Sequence, residues 1–194
     1  MHPAASFAIL TLLAGAPPSP TPAGAATVQG VRNFARVSPV LYRGAQPTRA
    51  GFLALRDLGV KTIVDLRSVH SDAKRLKGTG LDHYRIRTNQ WNPETEDVVR
   101  ALKVILTPEH QPVFVHCQAG QDRTGLIVAV YQILEGGRSV DEAIKERRAF
   151  GAKAIWEENE DYLERLRDPK AVSELRASIA AAPPPEVAPG VRFR

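Results

Sequence analysis

One cysteine, Cys117, stands in a chain of 194 residues, which excludes an internal disulfide and any cysteine-built metal site. The glycines form no dinucleotide-binding pattern, no zinc-ligand spacing occurs, and no internal repeat is apparent. No Arg/Lys run is interleaved with aromatics, so nothing in the chain reads as a DNA or RNA surface. Long hydrophobic runs are missing as well. The apolar stretch at residues 4–13 is too short to span a bilayer, which takes about 20 residues. What the chain does have is a basic balance: 26 Lys and Arg against 21 Asp and Glu give a formal charge of +5, and the pI is near 9.6. Such a protein attracts anions.

The stretch 4–13 has the length of an export-signal core, and a Pro-rich segment (17–22) and a small-residue segment (23–26) follow it. A basic n-region is lacking, since only the terminal amine and His2 precede the apolar run. The reading is a signal peptide and Pro/Ala-rich linker over 1–30, a catalytic domain over 31–168, and a C-terminal helix or tail over 169–194. Cleavage would place the protein outside the cytoplasm, in the periplasm, with no stable membrane insertion after processing. A cytoplasmic protein with an incidentally apolar start is the alternative.

Strands alternate with helices from Val31 onward. Expected are a strand through Leu41-Tyr42-Arg43, a helix over 51–58 capped by Thr48, strands over 61–66 and 82–87, and a helix over 94–106. Segment 70–80 reads as loop or short helix. A buried strand over 112–116 and a buried helix over 126–134 follow. Ser139-Val140-Asp141-Glu142 opens a capping-box helix to Phe150, and a last helix over 154–167 stops at Asp168-Pro169. This order implies an α/β sandwich with a small, mostly parallel sheet flanked by helices.

Between the strand at 112–116 and the helix at 126–134 lies His116-Cys117-Gln118-Ala119-Gly120-Gln121-Asp122-Arg123-Thr124-Gly125. A turn of this kind aims the successive N–H groups of Gln118, Ala119, Gly120, Gln121, Asp122 and Arg123 at one point, and the helix dipole adds to them. A phosphate fits there, with Cys117 at its floor. The field that holds a dianion also favours a thiolate. Arg123 supplies a planar fork for two phosphate oxygens, Thr124 a hydroxyl for the sulfur, and Gly120 and Gly125 the tight turn. A core thiol beside an unrelated arginine would not call for this combination.

The chain resembles the cysteine-dependent protein tyrosine and dual-specificity phosphatase superfamily, whose signature His-Cys-x5-Arg-Ser/Thr-Gly is matched by His116, Cys117, Arg123, Thr124 and Gly125. Rhodanese-type sulfurtransferases and arsenate reductases also carry a cysteine in an anion-binding loop, but not these flanks. A wider resemblance, to small bacterial, fungal and plant atypical dual-specificity phosphatases, covers roughly residues 35–166 and includes Leu41-Tyr42-Arg43-Gly44-Ala45-Gln46-Pro47 and the segment from Gly59 to Arg67. It implies a dual-specificity architecture and hydrolysis of phosphate monoesters through a phosphocysteine, without cofactor or metal. The implied partner is a phosphorylated protein or a small phosphate ester. Oligomeric state is not legible.

The resemblance also calls for a general acid. Relatives carry an aspartate on the loop that here runs from Asn89 to Asp97, which makes Asp97, Glu94 and Glu96 candidates, although acidic residues also suit a helix's first turn. Asp122 is the fourth candidate and ranks nearly equal with Asp97, slightly ahead, because Cys-x-x-Gly-x-Asp-Arg resembles myotubularin-type and some secreted bacterial phosphatases. Orienting Arg123 is its alternative role. His116 is expected to order the loop rather than react. Trp91 is expected to cover the pocket or pack in the core; Arg43 and Arg67, each ending an expected strand, are expected to be ordinary solvated arginines, with enlargement of the positive rim as the alternative. A phosphoinositide or inositol phosphate phosphatase is the alternative; phosphoinositide-directed relatives often have lysine where Gln121 stands, which lowers the lipid option without removing it. An inactive phospho-ligand-binding module is the reading from another class.

Overall fold

The computed structural model describes residues 27–89, 92–153, 157–183 and 186–188. The apolar start, Trp91, and the first three residues of the helix expected from Ala154 lie outside them. Five strands are formed: β1 (Ala35–Ser38), β2 (Leu41–Ala45), β3 (Thr62–Asp65), β4 (Asp82–Arg85) and β5 (Val113–Cys117). They make one sheet in the order β1-β2-β5-β3-β4. Every pairing is parallel except that of the edge strand β1 with β2. Seven helices flank it among the described residues: α1 (Arg49–Asp57), α2 (Ala73–Leu76), α3 (Thr95–Leu106), α4 (Asp122–Leu134), α5 (Val140–Ala149), α6 (Glu157–Glu164) and α7 (Pro169–Ala181). None is long and apolar enough to cross a membrane.

Strand alternation divides the interior in two. Leu41, Val64, Leu66, Val113, Val115 and Cys117 pack with α3, α4 and the helices beyond them. Tyr42, Ile63 and Phe114 face the other way, against Phe52 and Leu55 of α1 and Leu76 of α2. Each such side chain, removed from water, stabilises the fold by roughly 1.5–3 kcal/mol before entropy is set against it. α4 is buried around almost its whole circumference from Thr124 to Gln132, as befits a helix enclosed between a sheet and other helices.

Local signals place several boundaries. The Thr48 side chain caps α1 by accepting from Gly51 N at 3.1 Å, and Ser139 and Glu142 form the expected capping box on α5. Three features differ from the sequence reading. β1, short and half-exposed, carries no apolar run to announce it. α4 starts at Asp122 rather than 126, so Asp122, Arg123 and Thr124 belong to its first turn. Asp168-Pro169 ends one helical stretch and also begins α7, with the Asp168 side chain accepting from Lys170 N and proline in the first turn. α7 buries Leu175 and Ile179 in the larger core, so packing continues past the boundary expected at 168.

Candidate active site

With β5 ending at Cys117 and α4 beginning at Asp122, residues 118–121 form the whole connection. It lies at the C-terminal ends of β2, β5 and β3, the end of a parallel sheet where ligands bind. The alternation of β5 places Cys117 toward α4 and His116 on the opposite face, between the rings of Phe52 and Phe114. His116 therefore cannot reach a substrate that Cys117 reaches. Its Nδ1 lies 3.1 Å from the Cys117 carbonyl oxygen instead.

The loop's carbonyls have donors behind them. Gln118 O accepts from Gln46 N at 3.3 Å, and Gln121 O accepts from Gly125 N at 2.7 Å as the first bond of α4. Ala119 O accepts from Asn33 Nδ2 at 3.3 Å, and Gly120 O from Asn33 Nδ2 at 3.1 Å and Arg43 Nη2 at 3.0 Å. A trans peptide directs its N–H opposite to its C=O. Carbonyls drawn outward thus turn the following N–H groups inward, and that of Gly120 reaches the sulfur.

Burial by itself pushes the Cys117 thiol up, but the Thr124 hydroxyl and N–H, the Arg123 charge and the Gly120 N–H act against it, and the net displacement is downward. The Thr124 side chain is itself fully buried beside the thiol it influences. Arg123 is half-buried, and its Nη1 donates to Leu66 O at 3.3 Å.

Arg43 and Arg67 are not solvated, contrary to the sequence expectation: both are almost wholly enclosed. Arg43 donates to both Glu146 oxygens at 3.1 Å, and its guanidinium lies 3.9 Å from the centre of the Phe150 ring. Arg67 bridges Asp65 Oδ2 at 2.8 Å and Asp72 Oδ2 at 2.5 Å. Asp72 also lies 3.2 Å from His116 Nε2 and accepts from Gln46 Nε2 at 3.1 Å. Burial raises both carboxyls, yet their partners more than reverse this and hold each below the usual carboxylate range; Arg67 and His83 are the main partners of Asp65, and His116 and Arg67 those of Asp72. Asp65, Asp72 and His116 are the one set among the described residues with metal-ligand spacing. Arg67 already bridges the two carboxylates, so the set works as an ion-pair network that ties β3, the segment before α2 and β5 together. Sequence reading missed Asn33, Gln46, Asp72 and Glu146. The one available signal was Arg43, a charge in the middle of a strand otherwise built for burial.

The acid candidates separate in space. Asp122 is buried, and its Oδ1 accepts from Lys153 N at 2.9 Å, so it secures the segment after α5. Asp97 and Glu94 share with Arg123, Thr88, Val98 and Leu126 the wall of a shallow recess. Burial, followed by Glu94 and Glu96, raises the Asp97 carboxyl despite the opposing Arg100. Glu96 is exposed and does not line the recess.

A parallel sheet ending in a Cys-x5-Arg loop, with amides turned toward a low-pKa thiol and a helix N-terminus above it, defines a cysteine-dependent phosphatase architecture. The chain matches the model of the tyrosine phosphatase family over residues 30–182, and it belongs to that family as a phosphatase enzyme. It is 31% identical over 143 residues to the probable tyrosine-protein phosphatase DG1060 of Dictyostelium discoideum, an alignment covering 68% of this chain and 84% of that one. It is also 31% identical over 133 residues to the dual specificity protein phosphatase TpbA of Pseudomonas aeruginosa, covering 68% of this chain and 60% of that one. The crystal structure of a cysteine-to-serine form of TpbA in complex with phosphotyrosine superposes with a TM-score of 0.69 at 27% identity, over 84% of this chain and 100% of that one. The catalytic core of the PP-IP phosphatase SIW14 of S. cerevisiae, at 24% identity and a TM-score of 0.66 over 82% of this chain and 100% of that one, shares the fold.

Proposed function

We propose that the chain hydrolyses phosphate monoesters of phosphorylated proteins in two steps through Cys117. The thiolate attacks phosphorus, the ester P–O bond breaks, and the leaving oxygen takes a proton from Asp97. Water then attacks the phosphocysteine, Asp97 takes its proton, and sulfur departs as a thiolate that the Thr124 hydroxyl stabilises. Arg123 and the N–H groups of residues 118–123 hold the equatorial oxygens in both steps. The observation that carries this reading is the placement of Cys117, buried at the end of β5 beneath a loop whose carbonyls are held from behind by Gln46, Asn33 and Arg43, with Arg123 in the first turn of α4.

Asp97 is chosen over Asp122 because it shares a recess with Arg123, while Asp122 is engaged with Lys153. Turnover of an aryl phosphate in EDTA, abolished in Cys117→Ser, together with phosphorus recovered on Cys117 after acid quench, tests the mechanism. Hydrolysis that persists in the serine variant would refute it. A panel of phosphotyrosine, phosphoserine and inositol phosphates sets the substrate class. The apolar stretch 4–13 and the small residues after it favour export, and mass spectrometry of the mature N-terminus tests that: a retained Met1 overturns it.

A further inference from the structure

We infer that Asn33, more than 80 residues from the loop in sequence, is a positioning residue that sets the phosphate affinity of the loop and the ionisation of Cys117. The inference rests on the phosphatase reading above. Its ground is the single side-chain nitrogen that Asn33 sends to Ala119 O, Gly120 O and Phe150 O, the last at 3.1 Å. The Ala119 carbonyl shares a rigid peptide plane with the Gly120 N–H, and the Gly120 carbonyl shares one with the Gln121 N–H. Fixing the two oxygens therefore fixes the aim of two hydrogens, one of which reaches the Cys117 sulfur.

The residue type follows from this position. Asn33 has φ 53°, the one positive value among described non-glycine residues. Asparagine tolerates the left-handed region better than other residues with a side chain. Its amide carries no charge and supplies two hydrogens, which the three acceptors share, Ala119 O at 3.3 Å being the longest contact. A carboxylate would present oxygens to two carbonyl oxygens and add negative charge behind an anion site. Arg43 also donates to Gly120 O but makes no bond to Ala119 O, so Arg43 cannot hold the Ala119 plane if Asn33 is removed. The third acceptor, Phe150 O, belongs to the residue that caps α5, and through it the loop is keyed to the helix layer.

Asn33→Gly keeps the backbone angle free of strain and removes the amide, while Asn33→Asp keeps the shape and reverses the donor. Both are compared with the full wild-type chain in three measurements: the pH dependence of Cys117 alkylation by iodoacetamide, the affinity for orthovanadate, and the rise in Tm caused by inorganic phosphate. The expected result is an alkylation midpoint moved to higher pH in both variants and vanadate bound at least tenfold more weakly. The phosphate-induced rise in Tm should shrink, Asn33→Asp being the more affected. A residue needed only for folding lowers Tm equally with and without phosphate and leaves the alkylation midpoint in place, and that result overturns the inference. Should Asn33→Gly fail to fold, Asn33→Asp carries the same three measurements. If the wild type itself neither binds vanadate nor shows a lowered alkylation midpoint, the phosphatase reading falls. Wild-type behaviour retained by the variants defeats the role of Asn33 alone.

Discussion

Gly120→Ala separates the cost of an unusual backbone angle from the cost of lost space. Gly120 has φ 72°, and a methyl group built on it would lie 2.4 Å from Gly44 C, 2.5 Å from Gly44 O and 2.6 Å from Ala45 N. These are backbone atoms of β2, held in the sheet beside Cys117 through the pairing of Ala45 with that residue, and they cannot rotate away. Gly78 has nearly the same angle, φ 73°, with nothing within 4 Å of the same methyl position. Left-handed strain of about 1–2 kcal/mol is common to both substitutions. Overpacking adds about 1–3 kcal/mol at Gly120 alone, or the loop retreats by about 1 Å, a displacement that costs on the order of a hundredfold in rate. Urea unfolding and aryl phosphate turnover of the two alanine variants, side by side, measure this. Gly78→Ala should lose roughly 1–2 kcal/mol of stability and none of its kcat. Gly120→Ala should lose more stability and most of its turnover. Equal losses in both assays would show that the loop does not depend on its approach to β2.

In Asp97→Asn, kcat/KM toward an aryl phosphate should fall by roughly 10²–10⁴-fold. Wild-type activity should rise as Cys117 ionises, below the ordinary thiol range, and fall as Asp97 loses its proton, above the ordinary carboxylate range. Asp97→Asn should lose that high-pH fall, whereas Asp122→Asn and Glu94→Gln should keep it; retention in Asp97→Asn moves the acid role elsewhere. Arg43→Ala removes the partner of Glu146 and one donor to Gly120 O, and should cost about 3–5 kcal/mol in denaturant unfolding; a loss under ~1 kcal/mol contradicts the ion pair as drawn. Asp65 and Asp72 are held below the carboxylate range in the fold, so their contribution is complete above about pH 4 and is lost as pH falls through the lowered values. The stability gap between wild type and Asp72→Asn should therefore narrow below about pH 4, and a gap constant down to pH 2 would refute the network.

The parts of this protein that sequence makes legible are those whose information is local. The Thr48 cap, the Ser139-Glu142 box and the apolar strand before Cys117 each act within a few residues of themselves, and each is found where expected. The phosphate loop is legible for the same reason, since its chemistry is packed into ten consecutive residues. What escapes is whatever depends on register across the sheet. Arg43 looks like a surface cation until Glu146, 103 residues away, is folded against it. Asp122 and Asp97 stand alike as acids in the sequence, and only the fold brings the Lys153 N–H to Asp122, 31 residues on, and Asp97 to a recess shared with Arg123. Asn33 gives no sequence signal, because its role is visible only from the carbonyls it meets.

Buried ion-pair partners also explain how so much charge stands behind a site built for an anion. Arg43 pairs with Glu146, Arg67 with Asp65 and Asp72, and Arg147 with Glu160. Buried pairs of this kind recover little more than their desolvation, so stability is a poor reason for them. What a guanidinium gives in return is direction, a planar fork that holds two elements at a fixed angle. Arg43 joins β2 to α5 and to the loop at Gly120, and Arg67 joins the end of β3 to the segment before α2. Because these cations are largely neutralised by their partners, they leave the pull on a phosphate mainly to the loop amides, the α4 terminus and Arg123. Amides act only where they point, so the affinity of the site depends on the groups that grip the loop from behind more than on the protein's net charge.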